Sequence, residues 1–154
     1  MQIVLVVLGG ALAIAGGVGA TMLTSRLERA ESRRAARRDA YEEIYNTSTL
    51  IVEWSMKILP FITFEGQDVQ PPLPGGRVRA QVLADLYGSP DVRDKLEDFT
   101  NRLVEFTIAA DDVVGGDTDE KRAGRKALPQ HRAALRDANK ALVEAMRIDT
   151  AMAT

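Results

Sequence analysis

Hydrophobic and polar positions along this 154-residue chain follow three regimes in succession. From Met1 to Ser25 no side chain is charged, and "IVLVVLGGALAIAGGVGATML" is apolar or small throughout. From Arg26 to Ala40 the residues are mostly Ala, Arg and Glu, all strong helix formers, with Leu27 the single large apolar one. From Tyr41 onward apolar residues return three and four apart, the spacing of helices that turn one face to a core.

The periodic part predicts helices over 41–59, 77–87, 90–114 and 118–148, with 150–154 as a tail. In the first, Tyr41, Ile44, Tyr45, Ile51, Val52, Ile58 and Leu59 form one broad stripe. Ser48 and Ser55 fill two of its turns, Leu50 and Trp54 widen it, and Pro60 ends or kinks it. Residues 60–76, "PFITFEGQDVQPPLPGG", break the pattern: Pro71, Pro72 and Pro74 favour extended geometry and Gly75 with Gly76 predicts a hinge. The short 77–87 helix is expected to turn Val78, Val82, Leu83 and Leu86 inward and to stop at Gly88.

Ser89, Pro90 and Asp91 then read as cap, first position and first-turn acid of the next helix. Its seam, Val92, Leu96, Phe99, Leu103, Phe106, Ala110 and Val113, alternates four and three apart without a miss. Asp117 and Glu120 sit at the two positions of a capping box that opens the last helix. There Leu128, His131, Leu135, Ala138, Leu142 and Ala145 form the seam, and Pro129 predicts a kink or restart near residue 128. "FITF" at 61–64 is strand-like but has nothing to pair with. The fold class is therefore all-α: an N-terminal transmembrane helix continuing into an antiparallel bundle of about four helices.

The transmembrane expectation rests on length and charge. Some 21 apolar residues reach about 30 Å, the thickness of a bilayer's hydrocarbon core. A cleaved export signal needs a basic start and a shorter apolar centre, and residues 1–25 contain no Lys or Arg, so 1–24 reads as a retained anchor. Arg26, Arg29, Arg33, Arg34, Arg37 and Arg38 crowd the neck, residues 25–40, just beyond its C-terminal end. Arginines so placed stay on the cytoplasmic side, which puts the N-terminus outside and the 41–149 bundle in the cytoplasm of a single-pass cell-membrane protein. They also suit contact with anionic lipid headgroups. Gly9, Ala13, Gly17 and Thr21 recur every four residues, a spacing that lets two membrane helices approach closely, so a homo-oligomer is a candidate state.

Charge separates neck from body: residues 1–40 carry +3 and residues 41–154 carry −5 within the overall −2. An acidic, aromatic-poor body behind a basic neck speaks against nucleic acid. With no cysteine and one histidine, disulfides, thiolate nucleophiles and multi-histidine metal centres are excluded. His131 on the inner seam is expected to be a core residue rather than a general base. Asp111, Asp112, Asp117, Asp119 and Glu120 lack the ligand spacing of a calcium loop and read as helix ending and capping. The N-terminal glycines have no Lys-Ser or Lys-Thr behind them, and no nucleophile elbow or HExxH is found. Neither an enzyme nor a cofactor is expected.

The Gly/Ala-rich helix, the neck "SRLERAESRRAARRDAYEEI" and the closing segment "ALVEAMRIDT" resemble small uncharacterised membrane-anchored helical-bundle proteins of actinobacteria and their phages. The resemblance is one of layout, strengthened by 15 Arg against 5 Lys, and it implies no site residue. The expected function is a membrane-tethered interaction module that docks a protein partner or itself. The alternative is a phage- or envelope-related protein whose small-residue helix oligomerises as its active part. A third reading is a ligand-sensing bundle with a pocket beside Trp54 and His131.

Overall fold

Helical propensity in the neck and helical periodicity in the body leave the chain little reason to break before its first proline-rich segment, and it does not. In a computed structural model the protein consists of α1 (Gln2–Ile58), α2 (Pro74–Tyr87), α3 (Pro90–Gly115) and α4 (Thr118–Met152). The structure describes the backbone of residues 2–58, 74–115 and 117–152, and side-chain surroundings for 28–57, 75–114 and 117–152. Among the described residues there is no strand. The chain divides into two units, Met1–Ala36 and Arg37–Thr154. The first is helix α1 alone; the second is the bundle.

The expected seams of α3 and α4 form the centre of that bundle. All seven α3 positions are buried, with Val92, Leu103, Phe106 and Ala110 wholly so, and they meet Leu128, Leu135, Leu142 and Ala145 of α4. The two helices run antiparallel, since His131 lies by Glu105 and Gly124 by Ala109. Gly124 marks a close approach: a Cβ there would stand 2.9 Å from both the Ala109 carbonyl oxygen and a Val113 methyl.

Residues 37–58 of α1 lie along both helices, with Ile44, Ile51 and Val52 buried and Trp54 edge-on to Phe106, ring centroids 5.7 Å apart. Ser48 and Ser55 are buried too, their hydroxyls donating to the carbonyls of Tyr45 (3.1 Å) and Val52 (2.6 Å), so the helix itself satisfies them. Tyr45 and Leu50, by contrast, are exposed. Ile58 and Leu59 lie outside the described side chains.

Helix α2 corrects the expected orientation. Its buried residues are Ala80 and Ala84, while Val78, Val82 and Leu86 face outward and only Leu83 packs partly against the core. Both rows repeat every four residues, so periodicity cannot choose between them. Packing can: the side turned to α1 and α3, where Arg79 pairs with Glu43 and Ala80 lies by Ile44, Leu96 and Phe99, is occupied by the two alanines. Gly75 and Gly76 do not form a hinge but the first turn of α2, behind Pro74, whose constrained φ suits a helix start.

The ends follow their expected chemistry. Gly88 stops α2, its N–H donating to the Ala84 carbonyl at 2.8 Å, and Ser89 Oγ accepts from the Val92 N–H at 3.4 Å. Asp117 Oδ1 accepts from the N–H groups of Asp119 and Glu120, and Glu120 returns the bond to the Asp117 N–H at 2.8 Å. Helix α4 continues through Pro129 without a restart.

Two glycines give opposite expectations. Gly124→Ala gains about 1 kcal/mol of helix propensity but must push backbone aside, so urea unfolding should show a net loss of stability. Gly75→Ala meets nothing within 4 Å and should raise stability by up to about 1 kcal/mol.

Candidate functional site

The arginine neck enters the bundle at Arg37, and the structure divides its six members. Arg29, Arg33, Arg34 and Arg38 are exposed. Arg37 is half-buried and lies 3.5 Å from Asp149 near the end of α4, so one arginine of the run is committed to the fold. Arg26 and the small residues Gly9, Ala13, Gly17 and Thr21 belong to α1, but their side chains lie outside the described residues. Among the described residues no helix is long and apolar enough to cross a membrane.

Arg37 is part of a polar node between α1 and α4. The Tyr41 hydroxyl donates to Asp149 Oδ2, and the Ser89 backbone, just before α3, lies close enough to act on the same phenol. The node joins α1 to α4 at the start of the bundle, with the beginning of α3 beside it. Burial, then the Asp149 carboxylate, push the Tyr41 phenol up to about 12 from its usual 10.0; the Ser89 backbone and Arg37 pull the other way.

A second polar group crosses the α3–α4 seam. His131 is half-buried, with Nδ1 3.5 Å from Glu105 Oε2, and Glu105 also accepts from Arg102 Nη1 at 3.1 Å. Arg102 is held above its ordinary value, chiefly by that bond, and lies 3.4 Å from Asp98 as well. The His131–Glu105 pair borders a groove of about 270 Å³ with Ile108, Asp112 and a floor of Ala109, Ala123, Gly124 and Ala127. Trp54, on the Phe106 side, is not among its walls. Two further grooves follow α1 and α4: about 430 Å³, almost wholly apolar, along Tyr41, Tyr45, Val143 and Met146, and about 270 Å³ along Val52, Met56, Pro129, Arg132, Ala133 and Arg136.

Among the described residues no group of three or more acidic or histidine side chains could hold a metal ion. Of the acidic cluster, Asp117 and Glu120 cap α4 and Asp119 pairs with Arg122 at 3.3 Å. Asn139 Oδ1 on α4 is buried with no hydrogen-bond partner among the described residues. No family model, curated protein or solved structure matches the chain.

In the sequence His131 reads as a core seam residue, Tyr41 as part of the α1 stripe and Arg37 as a topology or lipid-contact residue; Glu105 and Asp149 carry no such reading, because they are brought to these residues only by the antiparallel register of the helices. Asp149 itself carried a weak signal: an acid at the inner edge of the final turns of an otherwise apolar seam.

The raised Tyr41 value fixes a pH dependence. The folded state holds this proton more tightly than the unfolded chain, so the contribution is complete below pH 10 and is lost as pH climbs through about 12. Absorbance titration of tyrosine should contain a component near 12 that Tyr41→Phe removes. At neutral pH Tyr41→Phe should lower stability by about 1 kcal/mol, and that deficit should shrink between pH 10 and 12.

Proposed function

We propose that this protein is a membrane-tethered helical interaction module: residues 1–24 anchor it, the arginine neck holds its orientation, and the bundle presents faces to a partner on the cytoplasmic side. The observation that carries the reading is that one helix, Gln2–Ile58, contains the uncharged stretch, the arginine run and the first core helix of the bundle. A chain with a soluble role alone gains nothing from 25 residues without a charge, which would cost it solubility.

The outward faces support binding rather than chemistry as the body's role. Val78, Val82 and Leu86 lie on the side of α2 away from Ala80 and Ala84, and Val104 with Ile108 repeats the arrangement on α3. Exposed apolar rows of this kind mark contact surfaces more often than catalytic ones. The polar pairs His131–Glu105, Tyr41–Asp149 and Arg79–Glu43 join helices to one another. The small-residue spacing Gly9, Ala13, Gly17 and Thr21 supports self-association in the bilayer as an addition to this role.

Orientation supplies the test. A fluorescent protein fused after Thr154 should fluoresce, and alkaline phosphatase at the same place should be inactive. Replacing Arg26, Arg29, Arg33, Arg34 and Arg38 by Gln and adding three lysines before Gln2 should invert both readouts while Arg37 keeps its bond to Asp149. Phosphatase activity with the native neck would contradict the reading.

A further inference from the structure

The groove between α1 and α4 lined by Val52, Met56, Pro129, Arg132, Ala133 and Arg136 differs from the other two in carrying two arginines without a two-pronged acid partner; the Tyr41 groove carries Arg147, held by Glu144, and the His131 groove carries Glu105 and Asp112. Three arginines of the bundle are half-buried: Arg37, Arg102 and Arg132. Arg37 has Asp149, and Arg102 has Glu105 and Asp98. Arg132 alone of the three has no carboxylate among the described residues. Among the described residues Arg136, one turn on, meets only Asp137, at 3.6 Å, and Asp137 lies at the same distance from Lys140. Elsewhere on α4 an arginine with a well-placed acid takes a two-pronged bond, as Arg147 does with Glu144 at 2.7 and 2.8 Å.

Arg132 is partly covered as a residue and lines apolar surface rather than meeting an acid, the arrangement in which an arginine lays its stem on apolar neighbours and leaves its guanidinium free to bond. Val52 is buried, Met56 is half-exposed, and Ala133 and Pro129 leave the space that a longer side chain would fill. Arg132 and Arg136, at helical i,i+4 spacing, stand on one wall of this floor. Two adjacent guanidiniums offer the forked donors that suit a phosphate or carboxylate. The volume, about 270 Å³, is at the lower edge of ligand pockets. That volume suits a single short chain with its headgroup.

From this cleft we infer a binding site for an amphiphilic anion, its phosphate or carboxylate on Arg132 and Arg136 and its alkyl chain on Val52, Met56 and Ala133. The shared chemistry covers two sources, a soluble acyl or alkyl anion and the headgroup end of an anionic lipid. The site stands on residues 52–136 alone and does not depend on the membrane reading.

The probe is hexyl phosphate, titrated calorimetrically into the full-length protein in phosphatidylcholine nanodiscs, or in buffer should the chain need no lipid. Arg132→Gln and Arg136→Gln should each weaken binding about tenfold or more, Arg147→Gln should leave it unchanged, and hexanol and inorganic phosphate should each bind far more weakly than hexyl phosphate. Circular dichroism of the variants separates lost binding from lost fold. Adding soluble, short-chain dihexanoyl phosphatidylglycerol as a competitor distinguishes the sources, since Val52 lies 28 residues of helix, roughly 40 Å, beyond residue 24: competition assigns the cleft to lipid, its absence to a soluble ligand. Binding that is insensitive to both arginines, or equal loss in Arg147→Gln, overturns the inference, as does hexanol binding as tightly as hexyl phosphate.

Discussion

The close approach of α3 and α4 at Gly124 is the constraint from which the rest of the bundle follows. Two long amphipathic helices can bury complementary seams only if their backbones come near enough for side chains to interdigitate, and at Ala109 that distance leaves no room for even a methyl group on the facing residue. Once this crossing is set, the register of the pair is set with it. Leu103, Phe106 and Leu135 meet in the middle, Glu105 comes opposite His131, and a trough opens along one side for Ile44, Ile51 and Trp54 of α1.

Helix α1 is then held at two places by different physics. Along its length the hold is apolar, through Ile44, Ile51 and the Trp54–Phe106 ring contact. At the point of entry it is polar, through Arg37, Tyr41 and Asp149, with Ser89, just before α3, beside them. This polar end is where the arginine run changes role: Arg29, Arg33, Arg34 and Arg38 remain in solvent, while Arg37 belongs to the bundle. In the proposed function, that division separates residues that act on a membrane surface from the one that acts on the fold.

Legibility in the sequence tracks how local each feature is. The α3 seam was readable to the last residue because seven matches at 3.5-residue spacing admit one helical face. The caps at Ser89 and Asp117 were readable because their partners lie within three residues. The orientation of α2 was not, since its row of large apolar residues and its row of alanines have the same period and only packing against α1 and α3 selects the alanines. The partners of His131 and Tyr41 were invisible for the same reason: Glu105 and Asp149 are brought there by register, 26 and 108 residues away in the chain. The arginine-lined cleft likewise exists only because α4 places Arg132 and Arg136 against Val52 and Met56.

In the proposed reading, the residues before Arg37 confine a bundle folded from Arg37 onward to a membrane. Membrane fractionation of the full chain beside residues 37–154 decides the matter. The full chain should sediment with membranes, resist high salt and alkaline carbonate and be released by detergent, while residues 37–154 should stay in the supernatant as a helical, cooperatively unfolding bundle. Full-length protein that is extracted by salt or carbonate alone would contradict that reading.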